Sequence, residues 1–273
     1  MSADAPAPAG RRISGGDPIF GHVLVGIDET PESLVAAAQA GVLRAPDGRL
    51  VLLAVSERHL AAHAGLAAAS AEDHLYAGTA AELAYAKELV DADDERLTSG
   101  KLVDLLCAEC ARRDVTLIAI GVRPHGRLSA LTFGGHDVEA LHDVRCSVLI
   151  ARPGWGPHRP DRIVVGVDGS PESRRAEAAA RSLGARLGCD VMPVVGLGGK
   201  IDPEVLRQER EDALLDPRPT ADAVVDASTK GSLVVVGRRP DRGRPGSKLV
   251  ERVVYASRCS VLVVQHELAA PGS

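Results

Sequence analysis

The sequence predicts an α/β protein made of two doubly wound, open parallel-sheet units, the second shorter than the first. Three observations support this. The strand candidates are continuous aliphatic runs rather than alternating ones, as in strands covered on both faces. They alternate with stretches of helical periodicity, which gives βαβ units and a parallel sheet. The pattern also occurs twice, because three blocks return in the same order along the 273 residues.

The first block, HVLVGIDETPES from His22 to Ser33, returns as RIVVGVDGSPES from Arg162 to Ser173, 140 positions later. Its aliphatic run is the first strand of each unit. Thr30-Pro31-Glu32 and Ser170-Pro171-Glu172 then supply an N-cap, a proline at the first helical position and an acid in the first turn. Apolar stripes at helical spacing follow, Leu34, Val35, Ala38 and Val42 in one copy and Ala176, Ala179, Ala180 and Leu183 in the other. A second strand is predicted over Leu50 to Val55 and over Val191 to Val195. The first copy continues with a long helix from about Ala71 to Val90, a strand near Arg96-Leu97-Thr98 and a helix from about Lys101 to Arg112. The second block, Leu117 to Gly121, returns as Leu233 to Gly237 after 116 positions. The third, Cys146 to Ile150, returns as Cys259 to Val263 after 113. The falling offset places a deletion of 24 residues early in the second copy, expected to remove one strand and much of a helix, and a deletion of three later.

These repeats set the expected boundaries: a flexible tail over 1–19, a first unit over 20–152, a Pro/Gly-rich linker over 153–160, a second unit over 161–266 and a tail over 267–273. Aromatic residues are only 2% of the chain, so the core must be built from Val, Leu, Ile and Ala. The net charge of −5 leaves no electrostatic footprint for nucleic acid. No apolar run reaches the roughly 18 residues that cross a bilayer. Arg11-Arg12 lacks the apolar stretch of a twin-arginine export signal, so the expected location is the cytoplasm. Five scattered cysteines do not form a disulfide framework.

The stretch with chemical potential is Ala119 to Arg127, continuing to Phe133-Gly134-Gly135-His136. A strand runs into Gly121, a loop with Arg123 follows, and a Gly-Gly pair opens a short helical pattern at Asp137 to Leu141. Free backbone N–H groups and a helix N-terminus aimed at one spot suit a phosphate. No Gly-Lys-Ser/Thr is present, so this is not a Walker loop.

With these residues in place, the chain resembles the universal stress protein family over roughly 20–152 and 161–266. Val-Gly-Ile-Asp with Thr-Pro-Glu-Ser, the glycine loop, and Cys-Ser-Val-Leu-Ile stand where that family has its marks, so the chain looks like a tandem member. The resemblance implies the adenine nucleotide alpha hydrolase-like fold, with five parallel strands per unit and dimer-like pairing of the units through their last strands. It also implies a role in stress survival. Some members bind ATP through Gly-x2-Gly-x9-Gly-Ser/Thr, with an aspartate after strand one and a valine ending strand two near the adenosine. By that resemblance Asp28, Val55, Gly121, Gly134 and Gly135 would line a site in the first unit, and Asp168, Val195, Gly237, Gly246 and Ser247 one in the second.

Both loops depart from the pattern. Pro124 and Pro240 stand where the second glycine would be, removing an N–H donor and fixing φ. Gly135 lacks the hydroxyl of the terminal Ser/Thr, and the spacer before Gly246-Ser247 is five residues rather than nine. Hydrogen bonds to charged groups contribute about 1.5–3 kcal/mol each, so losing two would weaken a micromolar site towards millimolar. Weak ATP or other adenine-nucleotide binding is expected in the first unit ahead of the second, with Mg²⁺ only if ATP binds. The alternative is a ligand-free protein-interaction module with relic loops and an unidentified protein partner. A slow ATP hydrolase is the third reading, and turnover is not expected.

Other features have plain explanations. Arg238, Arg239, Arg242, Arg244 and Lys248 read as a solvated basic loop, with anion binding by side-chain charge as the sharper alternative. Cys107-x-x-Cys110 has redox spacing but lies within a helical pattern, so it reads as a buried helix face. Cys146 and Cys259 read as small buried hydrophobes. His59 and His63 lack further metal ligands at suitable spacing. No nucleophile elbow supports Ser/His/Asp catalysis. A sheet edge or face left bare by the deletion would be a surface for a partner or for a second copy of the chain.

Overall fold

The computed structural model describes residues 19–28, 30–56, 68–100, 102–112, 114–122, 144, 146–198, 212–238 and 248–265. The first half runs β1 (His22–Ile27), α1 (Pro31–Leu43), β2 (Arg49–Ser56), α2 (Ala68–Val90), β3 (Asp94–Ser99), α3 (Leu102–Arg112), β4 (Leu117–Gly121) and β5 (Ser147–Ala151). The second runs β6 (Arg162–Gly166), α4 (Pro171–Leu187), β7 (Asp190–Gly196), β8 (Leu214–Asp216), α5 (Thr220–Ala227), β9 (Ser232–Arg238), α6 (Lys248–Ala256) and β10 (Ser260–Gln265).

All these strands lie in one 10-stranded sheet, ordered β3-β2-β1-β4-β5-β10-β9-β6-β7-β8. The second five therefore repeat the order of the first five in mirror sequence. Pairing is parallel throughout except between β5 and β10, which run antiparallel. There Leu149 faces Leu262, Ile150 faces Val261 and Val148 faces Val263. Leu149 and Leu262 occupy equivalent positions of the two repeats, so a pseudo-twofold axis passes between them.

Successive strand residues point to opposite faces, and both faces are covered. Val23, Val25, Ile27, Leu117 and Ala119 join one core with residues of α1, α2 and α4. Leu24, Ile118 and Ile120 join the other with Leu106 of α3, Val224 of α5 and Val253 of α6. This two-sided burial is why the strands read as unbroken aliphatic runs. Both cores continue through both halves of the sheet.

The helices of the first copy stand close to their expected places. The second copy differs from expectation, because its third strand survives as β8. The shortening instead falls between β7 and β8, where the first copy carries the 23-residue helix α2. Sheet pairing explains the difference: three residues of β8 suffice to continue the ladder on Val194 to Gly196. The Pro/Gly-rich connection also packs into the joint between the units. Trp155 is 5% exposed, and at Gly154 the backbone lies against the Lys230 carbonyl with no room for a Cβ.

A buried polar network joins the halves. Gln39 Nε2 donates to the carbonyls of Arg152 (3.0 Å) and Trp155 (2.8 Å), while its Oε1 accepts from Ser260 Oγ (2.7 Å). The Arg152 N–H donates to Ser260 Oγ, and the Arg152 guanidinium donates to the carbonyls of Cys259 and Val254. Burial lowers the pKa of that guanidinium from its ordinary value.

Candidate functional site

Strand order reverses between β1 and β4, and again between β6 and β9. In open α/β sheets such a switch point leaves a crevice beyond the carboxyl ends of the strands, where the adjacent connections leave in opposite directions. Asp28 directly follows β1, Val55 is the penultimate residue of β2, and Gly121 ends β4. In the second half Val195 is likewise the penultimate residue of β7, whereas Asp168 stands two residues past β6 and Gly237 is the penultimate residue of β9. Three of the sequence-selected residues in each half thus stand at or just past the carboxyl ends of three neighbouring strands. Arg123, Gly134 and Gly135 of the first loop, and Gly246 and Ser247 of the second, lie outside the described residues, as do Pro124, Pro240, His59 and His63.

Both aspartates are already engaged. Asp28 Oδ1 accepts from the Thr30 N–H at 3.1 Å and from the Thr30 hydroxyl. Asp168 Oδ1 accepts from the Ser170 N–H at 2.9 Å. Each carboxylate closes an Asx turn that aims the following helix. Ser33 Oγ ties that helix back to the strand by donating to the Asp28 and Thr30 carbonyls, both at 2.8 Å. Ser170 caps α4 by accepting from the Ser173 N–H at 3.1 Å, whereas Thr30 makes no side-chain cap to α1.

The loop-entry glycines have a steric reason. A Cβ on Gly121 would lie 2.6 Å from the Ser33 nitrogen and closer still to the Glu32 carbonyl. A Cβ on Gly237 would meet the Glu172 carbonyl and, at 3.0 Å, the Ser173 nitrogen. In each half the first turn of the helix rests directly on the end of the fourth strand.

The two valines differ in their surroundings. Val55 is 9% exposed at the crevice, whereas Val195 is fully buried. Beyond Val195, Gly196 is pressed against the backbone of Pro219 and Thr220 at the start of α5, and Leu197 bridges to Pro219. This closeness of α5 to the end of β7 is a contact that residue patterns alone did not reveal.

Arg238 differs from its expected place in the basic loop. It is the last residue of β9 and 5% exposed, because strand pairing with Gln265 carries it into the sheet. Arg239, Arg242 and Arg244 lie outside the described residues. Among the described residues no three His, Cys, Asp or Glu side chains are grouped to hold a metal ion, and no helix is long and apolar enough to cross a membrane. Sequence reasoning missed a contact between two thiols, Cys110 on α3 and Cys146 just before β5, with Sγ atoms 2.9 Å apart. The signal was present as three cysteines flanking one strand, but spacing alone gives no distance across 36 residues.

Residues 20–152 match the universal stress protein family. Over the whole sheet the chain is similar to a universal stress protein from Archaeoglobus fulgidus, at 14% identity and TM-score 0.65, covering 91% of this chain and 98% of that one. It is also similar to a functionally unknown protein from Pseudomonas aeruginosa, at 17% identity and TM-score 0.61, covering 92% and 94%. The cytoplasmic domain of a prokaryotic cation chloride cotransporter shares the fold at 12% identity and TM-score 0.54, covering 91% and 96%. At these identities the likeness shows the fold, which extends across both halves of the chain.

Proposed function

We propose that the chain is a tandem universal stress protein whose first unit binds an adenine nucleotide, ATP included, as a regulatory or protective protein of the stress response rather than as an enzyme. The observation that supports this reading is the placement of Asp28, Val55 and Gly121 at the carboxyl ends of the neighbouring strands β1, β2 and β4, with Gly121 next in sequence to the Arg123–Gly135 stretch. Asp28 retains one carboxylate oxygen for a ribose hydroxyl beyond the one that closes its turn. Mg²⁺ would enter with the nucleotide. The second unit is the weaker partner in this reading, since Val195 is fully buried and α5 stands against Gly196. Its role is to complete the sheet and to present a surface to a protein partner.

A specific observation favours the rival reading, a ligand-free interaction module. Gly121, Gly237, Asp28 and Asp168 all have sufficient structural reasons to be what they are. Thermal unfolding with and without millimolar Mg-ATP separates the two. Ligand at about 100 times its dissociation constant adds about 2.7 kcal/mol, several degrees in midpoint for a chain of this size. The nucleotide reading expects that rise in the wild type and its loss in Gly134→Asp, with no phosphate released on incubation. An unchanged wild-type midpoint would reject it in favour of the ligand-free module.

A further inference from the structure

We propose that Cys110 and Cys146 form a reversible, oxidant-made disulfide that ties the C-terminal turn of α3 to the start of β5, independently of any nucleotide. Their Sγ atoms lie 2.9 Å apart across a sequence separation of 36 residues, with no bond between them. Bond formation at about 2.05 Å needs a movement of less than about 1 Å, which the last turn of a helix can supply. The two thiols are unequal. Cys146 is 4% exposed within the core shared with α3, and contact with Cys110 together with burial pushes its thiol pKa up. Cys110 is only half-buried at the rim of that core. A diffusing oxidant therefore reaches Cys110 first.

The chemistry balances with a hydroperoxide as the two-electron oxidant. Cys110 attacks the peroxide O–O bond, becomes a sulfenic acid and releases the alcohol, or water from hydrogen peroxide. The Cys146 sulfur then displaces the sulfenic oxygen as water, its own proton leaving with that oxygen, and the S–S bond forms. Two thiols are oxidised and one peroxide is reduced. Cys107, one helical turn before Cys110 on the same helix, is also half-buried against this core. It offers a competing pairing, Cys107 with Cys110, that the experiment must distinguish. Cys189 and Cys259 belong to the second half of the chain.

Full-length protein is treated with a small excess of hydrogen peroxide, alkylated, digested without reduction and mapped by mass spectrometry. The expected product is a Cys110–Cys146 linked peptide, a fall in titratable thiols from five to three, and full recovery with dithiothreitol. In Cys146→Ser, Cys110 should stop at the sulfenic acid, trapped by a dimedone-type probe, while Cys189→Ser should behave as the wild type. A Cys107–Cys110 link would overturn the proposal. So would five intact thiols in folded wild-type protein, or direct passage of Cys110 to sulfinic acid without the link.

Discussion

Gly121 has no room for a side chain, because the first turn of α1 rests its Glu32 carbonyl on the end of β4. Gly237 repeats this contact with Glu172. A glycine kept for a phosphate and a glycine kept for helix packing look alike in a sequence, but they respond differently to substitution. Gly121→Ala forces the helix start away from the strand, and overpacking of this kind costs about 1–3 kcal/mol. The expected outcome is a lower urea midpoint for Gly121→Ala and for Gly237→Ala without any nucleotide present. A glycine serving only a ligand would leave the apo midpoint unchanged. The helix caps differ between the copies in the same local way. Ser170 accepts from the Ser173 N–H, so Ser170→Ala should cost about 1 kcal/mol in the same assay.

Helix α1 ends without a basic residue in its last turn. Its terminal carbonyls are satisfied from the other half of the chain, where Arg186 near the end of α4 donates to Leu43 (2.6 Å) and Arg44 (3.1 Å). A cation at a helix C-terminus contributes about 0.3–1 kcal/mol, and up to about 2 when partly buried. Arg186→Ala should therefore reduce the unfolding free energy by an amount in that range, read from denaturant unfolding followed by far-UV circular dichroism. A cluster of ion pairs flanks the edge element β8. Arg218 donates to Asp216 and to Asp226 of α5, and holds the Asp216 carboxyl at about 2, below its ordinary 3.8. Since the folded value lies below the unfolded one, the stabilisation is present above about pH 4 and is lost as pH falls towards about 2. Arg218→Gln should flatten that acid limb of melting temperature against pH. Elements of this kind mark the boundary of what the sequence shows. Strands buried on both faces, and helices opened by Thr-Pro-Glu or Ser-Pro-Glu, were legible because their signals are local. β8 was not, since three residues carry no periodicity and depend on pairing with β7. The Arg186 contact, the Cys110–Cys146 contact and the closeness of α5 to Gly196 are distances between remote segments, which no spacing encodes.

The joint between the halves has the geometry of a symmetric dimer interface within one chain. Leu149 faces its own counterpart Leu262, and the N–H groups of Arg152 and Gln265 each donate to the serine opening the opposite strand, Ser260 and Ser147. Such an arrangement is isologous, so either half could pair with a copy of itself. One feature breaks the symmetry: Gln39 bridges to Ser260, Arg152 and Trp155, while the equivalent position in the second copy is Ala179. The outer edges of the full sheet are poor partners by comparison. β3 carries Asp94, Glu95 and Arg96 with their ion pairs, and β8 has three residues. Charge and brevity are the usual defences of an edge. The fully buried strand β5, by contrast, would become a bare apolar edge if the second half were removed. A fragment of residues 1–152 should therefore dimerise through β5 pairing antiparallel with β5, Leu149 against Leu149, where the full chain pairs β5 with β10. Sedimentation equilibrium reads the mass directly, and Leu149→Lys in the fragment should return it to monomer by placing like charges opposite each other on the axis. A fragment that stays folded and monomeric at high concentration would show that the Gln39 network, rather than the symmetric strand pairing, holds the two halves together.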